Sequence, residues 1–244
     1  MISFLGLCVQ NFIKSLKYLF SKQVRFSSII SQAAAISYDS LTISLTISFI
    51  AAVVITIQVA KQFLMSGADT YIGGTITVVM IREIAPGFVA LAIGARAGTA
   101  ISAEIANMQV TEQVDAIKTL KVDPVGYYFT PRLISAAITV PMVVLIAEVI
   151  GILGGLIVSY FTIGLHPYRY LNSVWLWLEM KDVYISLFKA LIFGILIALV
   201  CATQGYTTKG GAKEVGISTT QAAIKSTIYM LMADFLINLV FYVF

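Results

Sequence analysis

The chain has 244 residues, of which 59% are hydrophobic and only 11% charged, whereas soluble domains carry roughly 25% charged residues. This composition excludes an ordinary soluble protein, and the net charge of +4 indicates membrane topology, not nucleic-acid binding, because the basic residues lie mostly between apolar segments. His166 is the only histidine, which excludes a multi-histidine site, so no metal is expected.

Residues 1–38 predict an amphipathic helix followed by a linker. Its apolar residues precede its charges, so it is expected to be retained and not cleaved as a signal peptide. A helix with one apolar and one polar face is typical of the membrane interface plane; a short membrane span is the alternative. The apolar face comprises Leu5, Cys8, Val9, Phe12, Leu16 and Leu19, and the other face comprises Ser3, Gln10, Lys14, Lys17 and Ser21.

Five apolar blocks follow, each long enough to cross ~30 Å of hydrocarbon. Ten Lys and Arg residues lie in the segments on one side of the predicted spans and two on the other, which places the N-terminus on the cytoplasmic or stromal side. The fold class is therefore predicted to be an all-α integral membrane protein with an N-terminal interfacial helix and about five transmembrane helices. The predicted spans are 41–64, 71–95, 133–161, 183–203 and 219–244.

Two segments carry small residues at every fourth position. Small residues allow helix backbones to approach closely inside a membrane, so both segments are expected to pack against protein. This packing could form a dimer or transport-pathway interface, or could lie within one chain. The residues are Ala90, Gly94, Gly98 and Ser102 in one segment, and Ala147, Gly151, Gly155 and Ser159 in the other.

The second predicted span contains two charged residues, Arg82 and Glu83, followed by Pro86. Because proline has no amide hydrogen, the carbonyl of Arg82 loses its helical partner, and the helix is expected to bend here. Charged groups at membrane depth pair with one another or face a polar cavity, so Arg82 and Glu83 form either a structural ion pair or a substrate contact. The available partners in other spans are Glu148, Lys189 and Asp234.

A polar segment, 104–124, separates the second and third spans. Val110, Val114 and Ile117 form one apolar helical face, and Pro124 ends the run, so a surface helix on the cytoplasmic side is expected. Spacing alone favours an ordinary helix in a solvated loop over a helix with a coupling role.

Several short motifs lie in and around this segment. They are Arg82-Glu-Ile-Ala-Pro86, Gly94-Ala-Arg-Ala-Gly98, Ala103-Glu-Ile, Met108, Val110-Thr-Glu-Gln113 and Asp123-Pro124. Together these motifs closely resemble the MlaE permease family. The resemblance covers nearly the whole chain and implies a permease domain over 39–244, in which 104–124 is the cytoplasmic coupling helix.

The resemblance implies the permease subunit of an ABC transporter that moves phospholipid or related lipid between envelope membranes. The expected partners are a second copy in a homodimer, a separate ATPase subunit, an MCE-domain lipid-binding protein and the lipid itself. In this family the helix between the second and third spans docks onto the ATPase, although Ala106, Asn107 and Gln109 depart from the family pattern. The implied coupling residues are Glu104, Met108, Thr111, Glu112, Gln113 and Asp115.

Lipid contact is expected at Arg82, Glu83 and Arg96. The resemblance carries over Arg96 as a lining residue of the lipid site, and a guanidinium group suits phosphate because it can donate two charge-assisted hydrogen bonds.

The stretch from Gly205 to Thr220 is similar to cyanobacterial and plastid-encoded members of the family, and eleven Lys against five Arg fit an AT-rich genome. The expected location is therefore a plastid or chloroplast inner envelope, with a bacterial inner membrane second. The sequence lacks the Gly-x-x-x-x-Gly-Lys-Ser/Thr motif of a phosphate-binding loop. The chain is therefore not expected to be an enzyme or to have a cofactor, and the ATP is expected to bind to a partner subunit.

Two alternative functions remain open. An ion-coupled secondary transporter would use the intramembrane charges as a relay. A membrane-embedded lipid-modifying enzyme would need a positioned acid, base or nucleophile, for which the sequence offers only His166 beside Pro167.

Overall fold

The computed structural model describes residues 2–20 and 25–243, which form helices joined by short connections. Helix α3 (Ile72–Val110) contains two π-helical turns, Met80–Ile84 and Gly94–Gly98, and a third, Leu239–Val243, extends α8 (Ala212–Asn238). Ser21 of the predicted polar face and Phe244 of the fifth predicted span lie outside the described residues. In chain order the helices are α1 (Ile2–Phe20), α2 (Phe26–Met65), α3 (Ile72–Val110), α4 (Gln113–Thr119), α5 (Pro124–Ile163), α6 (Pro167–Trp177), α7 (Met180–Tyr206) and α8 (Ala212–Asn238).

Among the described residues, five helices are long and apolar enough to cross a membrane, namely α2, α3, α5, α7 and α8 with its extension. The predicted all-α class with five spans and an N-terminal helix is thereby confirmed. The helices run past the predicted spans because polar residues end a span without ending a helix. Pro124, expected to stop a helix, instead begins α5, where its missing amide hydrogen costs nothing.

Helix α1 has three faces. Cys8, Asn11 and Ser15 are buried against protein, and burial raises the pKa of the Cys8 thiol. The apolar Leu5, Val9, Leu16 and Leu19 are exposed in a second direction, and Lys14 and Lys17 are exposed in a third. Protein, lipid and water faces on one helix are what an interfacial position requires, and that position remains a prediction.

Replacing Asn11 with alanine is expected to loosen α1. Its Nδ2 donates a buried hydrogen bond to Thr203 Oγ1 at 3.2 Å, and loss of such a bond costs about 1 kcal/mol. Thermal unfolding of the purified protein in mild detergent measures the change, with Gln10→Ala as the exposed control on the same helix. Equal melting temperatures for the two variants would contradict this role for Asn11.

Helix α6 was not expected, because 164–182 reads as a loop in the sequence. The His166 side chain caps it by accepting a hydrogen bond from the Tyr168 amide at Nδ1 (3.2 Å), and Pro167 occupies its first turn. Its buried Tyr170 and Ser173 face α3, where the Gly74 amide donates to Ser173 Oγ at 2.9 Å. The isolated histidine is therefore a helix cap.

Contacts divide the chain into two units. The first unit comprises Met1–Ser40, Ile93–Val140 and Leu191–Phe244, and the second comprises Leu41–Ala92 and Pro141–Ala190. In the second unit a buried apolar cluster that includes Ile72, Ile76, Met80 and Tyr170 holds α3 against its neighbours. In the first unit, α8 packs along the end of α3 that leads to α4.

Candidate functional site

In the second unit, charged residues meet where α3 departs from regular geometry. The helix is π-helical over Met80–Ile84, one residue short of Pro86, and the expected bend stays a prediction. The buried Lys189 Nζ on α7 donates to the carbonyl oxygen of Arg82 at 2.7 Å and to Glu83 Oε1 at 3.0 Å. One lysine thus supplies the donor that proline removed and also pairs with the adjacent carboxylate.

Arg82 is held by Asp182 at the beginning of α7. Its Nε lies 2.8 Å from Asp182 Oδ1 and its Nη2 lies 3.1 Å from Oδ2, a two-pronged pair that fixes the guanidinium plane. The carboxylate is buried, whereas the side chains of Arg82 and Glu83 are 36% and 43% exposed. Both residues therefore have structural partners and also a face open to a ligand.

The structure confirms one of the partners that were expected for this pair. Lys189 is confirmed as the partner of Glu83. Glu148 instead accepts a hydrogen bond from Ser186, and Asp234 belongs to the first unit. Asp182 was missed because it directly precedes the predicted span 183–203 and reads as a loop residue in the sequence.

The small residues pack within their own units. A Cβ added at Gly98 would lie 2.9 Å from Cys201 Sγ, and one at Gly94 would lie 3.7 Å from Ile197 Cδ1. At Gly155 it would lie 2.5 Å from Tyr170 Oη, and at Gly151 it would collide with the Met80 side chain. The space beside each of these four glycines is occupied by a side chain of the same chain. This is the packing that the within-chain alternative requires.

In the first unit, Arg96 lines a groove of about 220 Å³ between α2 and α3. Arg96 itself is exposed and belongs to the second π-helical turn of α3. Charged residues, Arg96 and Glu104, stand at the two ends of its α3 wall, and alanine and isoleucine lie between them. The lining residues are Ser31, Gln32, Ala35 and Ile36 of α2, and Arg96, Ala97, Ala100, Ile101 and Glu104 of α3.

The coupling segment is not the single helix that was expected. Helix α3 continues to Val110, and α4 begins only at Gln113. Glu112 between them has a φ of 61°, and Lys121 beyond α4 has a φ of 59°. A left-handed backbone costs a residue with a side chain roughly 1–2 kcal/mol, and such strain concentrates at functional sites.

The residues assigned to ATPase coupling are mostly on the surface. Val114 is buried and anchors α4, as its predicted apolar face requires, and Met108 is partly buried. Asp115 pairs with Lys118 at 2.7 Å, and this hydrogen bond raises the pKa of Lys118. The coupling residues whose side chains are exposed, and so accessible to the ATPase, are Glu104, Thr111, Glu112, Gln113 and Asp115.

Glu104 has a second role that its sequence motif did not reveal. Its Oε2 lies 2.6 Å from Nη2 of the buried Arg132 on α5. Arg132 Nη1 also donates to the carbonyl oxygen of Tyr128 at 2.7 Å. The pair therefore ties α3 to α5 just before the chain turns toward α4.

Comparison with known proteins gives one family and several relatives that match most of the chain. Residues 29–240 match the family described as Permease MlaE. A probable ABC transporter permease protein of Synechocystis sp. is 38% identical over 209 residues, covering 86% of this chain and 80% of the relative. A protein of the same description from Porphyra purpurea is 33% identical over 213 residues, covering 87% and 81%. The Arabidopsis thaliana protein TRIGALACTOSYLDIACYLGLYCEROL 1, chloroplastic, is 30% identical over 220 residues, covering 90% of this chain and 63% of that protein.

Proposed function

Because the chain belongs to the MlaE family of ABC transporter permeases, we propose that it moves a phospholipid or a related lipid between the membranes of an envelope. As a multi-pass ABC permease it works with a separate ATPase subunit that binds the ATP. The observation that carries the lipid assignment is its 30% identity to the Arabidopsis protein named after a glycolipid. Family membership favours this function over the ion-coupled transporter and the lipid-modifying enzyme.

The partners beyond the ATPase belong to the same proposal. The permease works as a homodimer, with an MCE-domain protein that carries the lipid. The plastid inner envelope is the favoured location, since relatives include a protein named chloroplastic, and a bacterial inner membrane is second. The permease domain spans 39–244, behind an N-terminal helix and linker over 1–38.

Lipid contact is assigned to Arg82, Glu83 and Arg96. The first two are paired with Asp182 and Lys189 but keep exposed faces, and Arg96 lines an amphipathic groove. Guanidinium groups can hold a phosphate through paired hydrogen bonds, and apolar helix surfaces can accommodate acyl chains.

In the proposed mechanism, ATP binding closes the ATPase dimer and moves α4. The movement reaches α3 through the turn at Glu112 and reaches α5 through Glu104 and Arg132. Such a transition needs two packings of similar free energy, and the strained turns on both sides of α4 are where the backbone can change at lowest cost.

The function is tested by purifying the tagged chain from its native membrane and identifying what accompanies it. Recovery of an ATPase, an MCE-domain protein and lipid, together with ATP-dependent lipid transfer between vesicles, is the expected result. A chain that purifies without an ATPase, and moves lipid without ATP, would contradict the proposal.

Replacing Glu112 with lysine is expected to weaken ATPase association about tenfold or more, since reversing a charge at an interface typically costs at least about 1.4 kcal/mol. Lysine tolerates the same backbone position as well as glutamate does, as Lys121 shows with its φ of 59°. Co-purification of the ATPase measures the effect. Glu179→Lys is the control, because this exposed acid lies in the 164–182 segment that the charge distribution places on the opposite side of the membrane. Equal ATPase recovery from both variants would remove Glu112 from the interface.

A further inference from the structure

Helix α6 packs against the second unit with one of its sides. Tyr170, Ser173 and Val174 are buried on that side. The Gly74 amide, in the first turn of α3, donates a hydrogen bond to Ser173 Oγ. A Cβ added at Gly74 would lie 2.9 Å from the Ser173 carbonyl oxygen, so the two backbones are in close contact. The first turn of α3 therefore holds α6 in a fixed position.

A second side of α6 carries exposed aromatic and apolar side chains. Tyr168 and Trp175 are 72% and 77% exposed, and Leu171 is exposed between them. At about 100° per residue, these three side chains lie within about 60° of one another around the helix, and they are called the aromatic side below. The helix surface beyond them carries the exposed Arg169, Asn172 and Leu176. Helix α6 thus has a protein side, an aromatic side and a largely polar side.

The connections of α6 keep it at the level where the neighbouring spans end. Residues 164–166 join it to α5 and residues 178–179 join it to α7, and connections this short reach at most roughly 11–14 Å. The middle of α6 lies on the first turn of α3, where the predicted span 71–95 begins. All three neighbours are long enough to cross a membrane. Helix α6 is therefore held near the edge of the hydrocarbon, on the side opposite the ATPase.

The neighbouring helix ends carry exposed aromatic residues as well. Tyr160 and Phe161 lie in the last turn of α5, Tyr184 lies near the beginning of α7, and Tyr71 directly precedes α3. Tyrosine and tryptophan are enriched where a membrane meets water, because an apolar ring carries a polar group that stays hydrated. Both tryptophans of the chain belong to α6. The aromatic side of α6 thus continues a belt of aromatic residues at this membrane edge.

We propose that α6 is a membrane-surface anchor, whose aromatic side enters the boundary between headgroups and acyl chains in the leaflet opposite the ATPase. Its attraction to the leaflet comes from apolar and aromatic burial, so it needs no charged headgroup. Because α6 is held by the first turn of α3, the anchor also sets the depth of that turn in the leaflet. Its partner is the surrounding bilayer and not a transported molecule, so the anchor does not depend on the proposed substrate.

Fluorescence from a single tryptophan tests the anchor. Trp177→Phe keeps an aromatic ring beside Tyr71 and leaves Trp175 as the only tryptophan in the full chain, which is reconstituted in phosphatidylcholine nanodiscs. Phosphatidylcholine brominated near the top of its acyl chains should quench Trp175 more strongly than phosphatidylcholine brominated near the chain ends. Aqueous iodide should quench it weakly. Brominated phosphatidylglycerol should give the same pattern, since the anchor does not depend on headgroup charge.

Four other outcomes overturn the proposal. Strong quenching by iodide without quenching by brominated lipid would place the aromatic side in water. Weak quenching by both would show that protein covers Trp175, as at an interface with a partner chain. Strongest quenching by lipid brominated near the chain ends would place α6 inside the hydrocarbon. Quenching by phosphatidylglycerol but not by phosphatidylcholine would replace the anchor with a contact to charged headgroups.

Amide hydrogen exchange of α6 in the same nanodiscs is a second test, which keeps both tryptophans. Leu171→Ser changes the aromatic side, and Leu176→Ser makes the same change, with the same loss of helix propensity, on the largely polar side. Exchange in α6 is expected to be about fivefold faster in Leu171→Ser than in Leu176→Ser, because only the first loses apolar contact with the leaflet. Equal exchange rates in the two variants would also overturn the proposal.

Discussion

Replacing Lys189 with methionine is expected to destabilise the protein by about 3 kcal/mol, near the lower end of the cost of removing one partner from a buried ion pair. The substitution leaves the Arg82 carbonyl oxygen without the donor that lies 2.7 Å away and leaves Glu83 without its partner at 3.0 Å. The lower end applies because only Lys189 is fully buried, whereas the Glu83 side chain is 43% exposed. Thermal unfolding in mild detergent is the measurement.

Two controls make that result specific. Lys181→Met removes an exposed lysine from the same helix and should leave the melting temperature unchanged. Adding Glu83→Gln to Lys189→Met should recover part of the lost stability, because the neutral glutamine amide does not need the positive charge that the first substitution removes. If the Lys189→Met protein had the same melting temperature as the parent, this lysine would not be what holds α3 and α7 together.

Replacing Gly73 with alanine is expected to cost about 3 kcal/mol or more, at the upper end for overpacking. The added Cβ would collide with the Tyr170 carbonyl oxygen of α6, and a backbone atom cannot rotate away as a side chain can. The buried Tyr170 ring leaves little space for α6 to retreat. Thermal unfolding and proteolysis within 164–180 should both reveal the loosened α6.

Gly87→Ala is the matched control on the same helix. An added Cβ there meets no described heavy atom within 4 Å, so only helix propensity changes, with a gain of up to about 1 kcal/mol. If the Gly73→Ala and Gly87→Ala proteins were equally stable, α3 and α6 would not approach each other as closely at Gly73 as described.

The five long helices could be predicted because a span needs only length and apolarity. The need of the Arg82 carbonyl for another donor could be predicted as well, because the missing amide hydrogen is a property of Pro86 itself. Lys189 was among the expected partners because the charge of a lysine inside an apolar block has few groups with which it can pair.

Other features depend on contacts between distant residues. Asp182 lies 100 residues from Arg82, and nothing in its own surroundings marks it as a partner. Helix α6 is short and mixes aromatic with polar residues, so its stability comes from packing on Gly73 and Gly74. The turn at Glu112 carries no glycine or asparagine, the residues that usually signal a left-handed backbone.

The bond from Lys189 to the Arg82 carbonyl also sets an order for biogenesis. The two residues are 107 positions apart, so at roughly 5–20 residues per second the ribosome needs about 5–20 s after Arg82 to produce Lys189. During that interval α3 cannot yet receive the donor that Pro86 removed, and its charges favour contact with water or with the insertion machinery. If the second span entered lipid before the fourth was made, this carbonyl oxygen would lie in hydrocarbon without that donor, a cost that the later bond from Lys189 removes.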